Sequence, residues 1–241
     1  MPSRVPPASI SMSFDCHAAE CDVFTELIDT LRCPNAHEDS WLVATSTRTA
    51  DRHIIEGKLG CPVCREIFLI VGGEVLFAPD SGLRSSRVLD DEAAFRLAAQ
   101  LHLVEAPQPI LLTGRWSSAV AALRTIVSSV TIFVGDATSS VVLDERVSTL
   151  RLPASGIPLA TASLRAVALD AMHANDSFVV DAARVLRTSG RLVVPAGTEL
   201  NDAIWRVLAT DADVVVAERL AVASAPIPLR RAPSKPLFDA Q

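Results

Sequence analysis

Two cysteines that lie two residues apart constrain this chain more than any other feature of its sequence. Cys61 and Cys64 belong to the tetrapeptide CPVC, and a tight turn of this kind directs two thiolates at one metal ion. Tetrahedral zinc needs two further ligands, and the upstream segment LRCPNAHED offers Cys33 and His37. Ala36 stands where a second pair with the same spacing would have its cysteine. The pattern predicts a zinc ribbon with a Cys3His site, and buried thiols without a metal are the alternative.

The 23 residues between the two ligand pairs are predicted to form a hairpin, whose second strand near residues 53 to 59 returns the chain to the CPVC turn. Two further cysteines, Cys16 and Cys21, precede the ribbon in a segment predicted to be helical. Their spacing of five does not place them on one face of a helix. They are interpreted as incidental thiols, with extra metal ligands beside His17 as the alternative.

The length and composition indicate two globular domains. The chain has 241 residues, of which 49% are hydrophobic and 21% charged, so it can bury a core and is too long for a ribbon alone. The net charge is -6, and residues 1 to 80 hold 6 basic and 12 acidic side chains. Ribbons that bind nucleic acid carry basic stripes, so this balance argues against a nucleic-acid partner.

No stretch approaches the roughly 18 apolar residues of a transmembrane helix, and no signal-peptide pattern is present at the start. A cytoplasmic protein without a transmembrane segment is therefore expected.

Four segments are predicted along the chain. Residues 1 to 25 are an extended arm, 26 to 80 the ribbon domain, 88 to 222 a second domain, and 223 to 241 a proline-rich tail. The stretch from Pro79 to Ser86 is the predicted linker between the two domains.

Strand-like and helix-like segments alternate in the second domain. Runs of Val, Ile and Leu predict strands at 109 to 114, 130 to 134, 149 to 153, 166 to 171, 191 to 195 and 213 to 218. Helices are predicted at 89 to 104, 118 to 127, 176 to 186 and around 201 to 210. Buried strands with helices between them are typical of a mostly parallel sheet. The predicted fold class is α/β, a Rossmann-like sheet that follows a small β-rich ribbon.

Both parts resemble known families. About a fifth of the chain is similar to the zinc-ribbon domains of the methyltransferase-activator type, which partner or precede methyltransferases. The residues that carry this resemblance are Leu31, Cys33, Pro34, Gly57, Leu59, Cys61, Cys64, Phe68, Ile70, Gly73, Val75 and Leu76. Residues from about 90 to 220 resemble a class I S-adenosylmethionine-dependent methyltransferase, most clearly in IPLATASLRAVALDAMHANDSFVVDAARVLRTSGRLVVPAG.

This resemblance implies where a cofactor would bind. In the family, the first strand ends in an acidic residue and a glycine-rich turn, and this chain keeps only Gly114. Leu112 takes the acidic position, and Trp116 and Ser118 take those of two glycines, so that an indole would project into the cofactor's place. Asp136 matches the family's ribose-binding acid, with an exposed turn residue as the alternative. The replaced glycines argue against S-adenosylmethionine as a cofactor.

A polar cluster follows the strand predicted at 166 to 171. Asp170, His173, Asn175 and Asp176 are expected at the carboxyl end of the sheet, where catalytic groups lie in open α/β folds. The favoured interpretation is structural: Asn175 or Asp176 caps the next helix, and His173 is a solvated loop residue. Asp170 and His173 as catalytic residues are the alternative.

Two functions fit these observations. The favoured hypothesis is a non-catalytic, methyltransferase-like protein that binds a protein partner or a larger assembly through its ribbon, its degenerate Rossmann domain and its arms. The alternative is an active S-adenosylmethionine-dependent methyltransferase with its zinc ribbon in cis, which the family resemblance allows to act on RNA. The glycine losses and the acidic ribbon favour the first hypothesis.

Overall fold

A computed structural model describes residues 23–50, 52–79, 89–103, 108–138, 141 and 146–221. Most of the predicted arm and linker, the whole predicted tail, and both Cys16 and Cys21 lie outside these residues.

The first part of the described chain is a small, mostly antiparallel unit. Its elements are β1 (Val23–Phe24), α1 (Thr25–Ile28), β2 (Val43–Ala50), β3 (His53–Gly60), β4 (Ile67–Val71) and β5 (Glu74–Leu76). β2 and β3 form the predicted hairpin, and β3 to β5 follow as an antiparallel meander. Alternation along β4 places Phe68 and Ile70 inside, whereas Ile67, Leu69 and Val71 face outward.

The second part alternates strands and helices as predicted, up to its last hairpin. Its elements are α2 (Asp91–Gln100), β6 (Ile110–Thr113), a 3-10 helix (Gly114–Ala119), α3 (Val120–Ile126), β7 (Ile132–Gly135), β8 (Val147–Arg151), β9 (Leu164–Ala168), α4 (Asp176–Val185), β10 (Leu186–Pro195), β11 (Trp205–Thr210) and β12 (Val214–Arg219). Side-chain oxygens of Asp90 and Asn175 accept backbone N–H groups at the starts of α2 and α4, which fixes where both helices begin.

All described strands belong to one sheet, in the order β1-β3-β4-β5-β8-β7-β6-β9-β10-β12-β11, with β2 paired to β3. The five strands β8, β7, β6, β9 and β10 are mutually parallel. From β6 the chain first adds strands on one side and then continues with β9 on the other, so the strand order reverses between β6 and β9. The predicted class, an α/β fold with a mostly parallel central sheet, is confirmed.

The ribbon-like unit joins the parallel strands edge to edge. β5 pairs with β8 in parallel, from Glu74 opposite Thr149 to Leu76 opposite Arg151. One cluster of buried side chains includes Leu59 and Phe68 from the first part and Leu111 from the second. The two predicted domains therefore share a sheet and a core in the described residues.

Strand residues alternate between two buried layers. On β6, Leu111 packs in the cluster that contains α4, while Ile110 and Leu112 pack in the cluster that contains α2 and α3. The parallel strands are therefore covered on both faces, as their continuous apolar runs predict. Full burial of one such side chain contributes about 1.5–3 kcal/mol.

The end of the chain departs from the sequence prediction. The helix predicted around 201 to 210 is wrong, since Trp205–Thr210 is strand β11, paired antiparallel with β12. A side-chain oxygen of Asp211 accepts the N–H groups of Asp213 and Val214, which makes the tight turn of this hairpin. β10 also begins at Leu186, earlier than the predicted start at 191. Among the described residues, no helix has the length and apolar character needed to cross a lipid bilayer.

Candidate metal site and the crevice of the parallel sheet

The four predicted metal ligands come together. One ligand atom from each of Cys33, His37, Cys61 and Cys64 lies within 4.8 Å of all the others. The Sγ atoms of Cys33 and Cys64 are 3.7 Å apart, and the Sγ of Cys61 is 3.4 Å from Nε2 of His37. A tetrahedral zinc ion with Zn–S near 2.3 Å and Zn–N near 2.0–2.1 Å separates its ligand atoms by roughly 3.6–3.8 Å. The cluster could thus hold a zinc ion.

Backbone contacts hold the two ligand turns. In the first, the N–H of Cys33 donates to the carbonyl of Ser40 at 3.1 Å. In the second, the N–H of Cys61 donates to the carbonyl of Glu66, and the N–H of Arg65 donates to the carbonyl of Cys61. These two bonds close the CPVC turn, in which Arg65 has a φ of 63°. The sequence pattern encodes these turns because both begin with Cys-Pro and the second lies between two paired strands.

The surrounding polar groups suit metal ligation. Nδ1 of His37 donates to the carbonyl of Glu38 at 2.6 Å, which leaves Nε2 free to face the thiols. The amide of Asn35 donates to the Sγ of Cys64 at 3.4 Å, and this bond lowers the pKa of Cys64 to about 6. Burial raises the pKa of Cys33 to about 12. Metal binding would therefore release a proton from Cys33, whereas the lowered pKa of Cys64 favours the thiolate form that binds a metal.

A second polar cluster lies at the carboxyl ends of β6, β7 and β9, where the strand order reverses. Open α/β sheets bind ligands in the crevice at this point, and we call the region between the carboxyl ends of β6 and β9 the crevice. Gly114, directly after β6, has a φ of 49°. A Cβ atom on Gly114 would lie 1.9 Å from Oδ2 of Asp170, so this glycine allows the Asp170 carboxylate to enter the turn.

Asp170 is bonded on several sides. Its N–H donates to the Thr113 hydroxyl at 3.0 Å, and that hydroxyl lies 3.2 Å from its carboxylate. The N–H of Arg115 also bonds the carboxylate. Burial opposes ionisation, but the bond from His173 and the charge of His173 hold the pKa of Asp170 below its ordinary value.

His173 lies between two carboxylates. Its Nδ1 is 2.5 Å from Oδ1 of Asp170, and its Nε2 is 2.9 Å from Oδ2 of Asp136. The residue is 7% exposed, so its interpretation as a solvated loop residue is wrong. Burial alone would lower the pKa of His173, but the bonds to Asp136 and Asp170 outweigh it and raise the pKa to about 9. At neutral pH the ring is therefore an imidazolium that donates from both nitrogens.

The charged cluster extends to the ribbon-like unit. Asp136, which has a φ of 48°, accepts the N–H of Leu152 through Oδ1 at 3.3 Å. Nε of Arg151 lies 3.8 Å from the same oxygen. Arg151 in turn bonds Glu74 of β5 at 3.0 Å. A continuous series of charges thus connects the edge of the ribbon with the crevice.

Residues that follow β6 also form hydrogen bonds with residues that follow β9 and β7. The indole of Trp116 is 4% exposed, and its Nε1 donates to the carbonyl of Leu169 at 3.2 Å, across the crevice. Ser117 accepts the N–H of Thr138 at 3.2 Å, and the Thr138 hydroxyl donates to the carbonyl of Gly114 at 3.1 Å.

Of the residues singled out in the sequence, Gly114, Asp136, Asp170 and His173 meet at one edge. Asn175 accepts the N–H of Phe178 at 3.2 Å and thus caps α4, as the structural interpretation expected. Asp176 is the first residue of that helix.

Sequence reasoning missed four residues that complete the cluster, namely Thr113, Leu169, Arg151 and Glu74. The rule that parallel strands end at one edge could have found Thr113 and Leu169. No pattern in the sequence indicates the pairing of β5 with β8, which places Glu74 beside Arg151.

The strand order and the parallel strands define a Rossmann-like α/β fold. The sequence itself matches no protein-family model and no curated protein.

Solved methyltransferase structures are among those similar to this chain. An S-adenosylmethionine-dependent O-methyltransferase from Thermotoga maritima has a TM-score of 0.42 and 14% identity, over 70% of this chain and 79% of the other. Geranyl diphosphate C-methyltransferase from Streptomyces coelicolor A3(2), solved with S-adenosyl-L-homocysteine, has a TM-score of 0.37 and 12% identity. That match spans 43% of this chain and 42% of the enzyme, less than half of each. At these values the likeness assigns no activity, substrate or cofactor to this chain.

Proposed function

We propose that this chain is a non-catalytic, methyltransferase-like protein whose zinc-bearing ribbon and degenerate Rossmann domain bind a protein partner. The observation that carries the proposal is the occupancy of the crevice by the protein's own side chains. Asp170 fills the turn at Gly114, and Trp116 crosses from the end of β6 to the carbonyl of Leu169. A ligand in the crevice would have to break these contacts.

The one acid retained from the family's cofactor site is already bonded within the protein. Asp136 directs Oδ1 to the N–H of Leu152 and Oδ2 to His173. A ribose would need the same oxygens as acceptors for its hydroxyl groups. Binding of a ribose would leave the buried imidazolium of His173 with one carboxylate fewer, which is unfavourable because a buried charge needs its partners.

The same arrangement argues against His173 as a catalytic base. A general base needs a free lone pair near neutral pH. His173 has its pKa raised to about 9 and both ring nitrogens bonded to carboxylates. Its role in this proposal is to hold Asp136 and Asp170 in place.

The ribbon contributes both the metal and a surface. Zinc at Cys33, His37, Cys61 and Cys64 would fix the two ligand turns, since structural zinc sites contribute directly to folding. The outward face of the ribbon exposes apolar side chains, which mark interaction surfaces when they are contiguous. They are Val43 on β2 and Ile67, Leu69 and Val71 on β4. These features support a ribbon that binds a protein.

Calorimetry with S-adenosylmethionine tests the absence of a working cofactor site. We expect the wild-type protein to bind no tighter than about 1 mM, weaker than about -4 kcal/mol. The double variant Trp116→Gly, Ser118→Gly should open space without restoring the missing acid at Leu112, so binding should improve only slightly. Trp41→Gly is the matched control, because this indole is 59% exposed on the ribbon; circular dichroism should verify that each variant is folded.

The alternative is an active methyltransferase with its ribbon in cis, with RNA as one class of substrate. Gly114 and Asp136 favour it, because they stand at the ends of β6 and β7 as in the family. A dissociation constant in the low micromolar range that Trp116→Ala abolishes, with Trp41→Gly unchanged, would make the indole a cofactor contact. That result would refute the non-catalytic proposal.

A further inference from the structure

A basic cavity lies at the opposite edge of the parallel sheet from the crevice. Its volume is about 220 Å³, and its lining residues are His102, Arg165, Ser189, Arg191 and Glu218. Arg165 is the second residue of β9, and His102 follows the end of α2. The cavity is therefore at the amino ends of the strands and shares no residue with the crevice or the metal ligands.

Strand register gives this cavity a surplus of positive charge. Arg191, Glu218 and Arg206 lie opposite one another on the adjacent strands β10, β12 and β11. Glu218 carries both ion pairs, at 3.6 Å to Arg191 and 2.5 Å to Arg206. Arg165 makes no side-chain hydrogen bond or ion pair with the residues that the structure describes. Within the lining, the guanidinium groups of Arg165 and Arg191 against the carboxylate of Glu218 leave a formal charge of +1, in a chain whose net charge is -6.

Two residues of the cavity have left-handed backbone conformations. His102 has a φ of 51° and Ser189 a φ of 62°, two of the five non-glycine residues in the described part of the chain with positive φ. The N–H groups of His102 and Leu103 donate to the carbonyls of Ala99 and Ala98, so the left-handed conformation of His102 ends helix α2. Both residues line the same small cavity.

We infer that this cavity binds the phosphate group of a small phosphorylated ligand. The planar guanidinium of Arg165 can donate two parallel hydrogen bonds to phosphate oxygens, and Arg191 and the Ser189 hydroxyl can donate to the others. The positive formal charge of the lining favours an anionic group. The volume of about 220 Å³ is below the 300–1,000 Å³ that is typical of pockets for whole drug-sized ligands. The site therefore takes the anionic group, and the rest of the ligand lies outside it.

A nucleic-acid backbone is a poorer match than a single phosphate group. Nucleic acids are bound along grooves or stripes in which many Lys and Arg side chains neutralise successive phosphates. Here two Arg side chains line one small cavity, in a chain whose net charge is -6.

The test is calorimetric titration of the full-length protein with inorganic phosphate at low ionic strength, and then with glycerol 3-phosphate. We expect saturable binding at one site, with the dissociation constant raised at least about tenfold by Arg165→Gln, since charge-assisted bonds are lost. Arg165 has no partner in the described chain, so this variant should remain folded. Ser189→Ala should weaken binding less, by about threefold. Arg48→Gln is the control, because it makes the same charge change on β2 of the ribbon.

Three outcomes would overturn the inference. The first is no saturable binding of either anion up to about 10 mM, which corresponds to less than about 3 kcal/mol. The second is an equal loss of affinity in Arg165→Gln and Arg48→Gln, which would indicate a general effect of net charge. The third is tight binding of a single-stranded RNA oligonucleotide that depends on Arg165 while phosphate and glycerol 3-phosphate do not bind.

Discussion

Replacement of His173 by glutamine should remove most of the dependence of stability on alkaline pH. His173 ionises with a pKa of about 9 in the folded protein, against 6.5 for an unperturbed histidine. The folded value is the higher one, so the stabilisation is fully present below about pH 6.5 and is lost as the pH rises through 9. At about 1.4 kcal/mol per unit of pKa difference, the shift corresponds to about 3 kcal/mol.

The measurement is urea unfolding followed by tryptophan fluorescence, at several values between about pH 6 and pH 9.5. Wild-type stability should fall by about 3 kcal/mol over this range, whereas His173→Gln should lose little because it has no titrating ring. The two proteins should differ most near the acidic end, where the variant lacks the imidazolium that bonds both Asp136 and Asp170. Ionisation of the metal ligands is common to both proteins and cancels in their difference.

An NMR titration of the His173 ring gives an independent check of the cause. A midpoint near the ordinary histidine value, or parallel pH profiles for the wild type and His173→Gln, would refute the account of a buried imidazolium. At acidic pH, stability depends on pH in the opposite direction. The pKa of Asp170 is lowered in the fold, so its contribution is present above its ordinary pKa and is lost as the pH falls further.

Two further changes test the metal and the crevice turn. Protein purified without chelator should hold one zinc ion per chain. Cys61→Ser should abolish zinc binding, whereas Cys16→Ser should leave the zinc content unchanged. Less than about a tenth of an equivalent of zinc in the wild type would refute the site. Gly114→Ala should cost about 3 kcal/mol in urea unfolding, because it combines positive φ with a clash against Asp170. Gly72→Ala is its control, with a similar φ of +54° but no atom within 4 Å, and should cost about 1 kcal/mol; equal losses would contradict the contact with Asp170.

The sequence predicts the strands and the metal cluster well because both rest on local patterns. Continuous apolar runs specify β6, β7 and β9, and the spacing of Cys61 and Cys64 specifies a ligand turn. The prediction fails at Trp205–Thr210, where the partner strand β12 decides the conformation. A six-residue segment has too little periodicity to separate a strand from a helix.

Local sequence patterns do not predict the contacts between distant segments of the chain. β5 has three residues, and nothing in them indicates that they pair with β8 more than 70 positions later. The sequence predicts that the polar residues after the strands share one edge of the sheet. It does not predict which of these residues form hydrogen bonds with each other. Whether His173 faces water or two carboxylates depends on the exact path of the chain from Asp170 to α4, which residue types do not determine.

The charges where the two parts of the sheet meet give Asp136 a structural role that does not depend on a cofactor. Glu74, Arg151, Asp136, His173 and Asp170 alternate in sign along one continuous series. Removal of Asp136 would leave Arg151 with Glu74 and His173 with Asp170 as carboxylate partners, and loss of the shared carboxylate between two largely buried cations is destabilising. Asp136 therefore stabilises the fold whether or not a ribose binds. Its presence alone cannot distinguish an enzyme from a non-catalytic relative, whereas the closed contacts of Trp116 and Asp170 bear directly on that distinction.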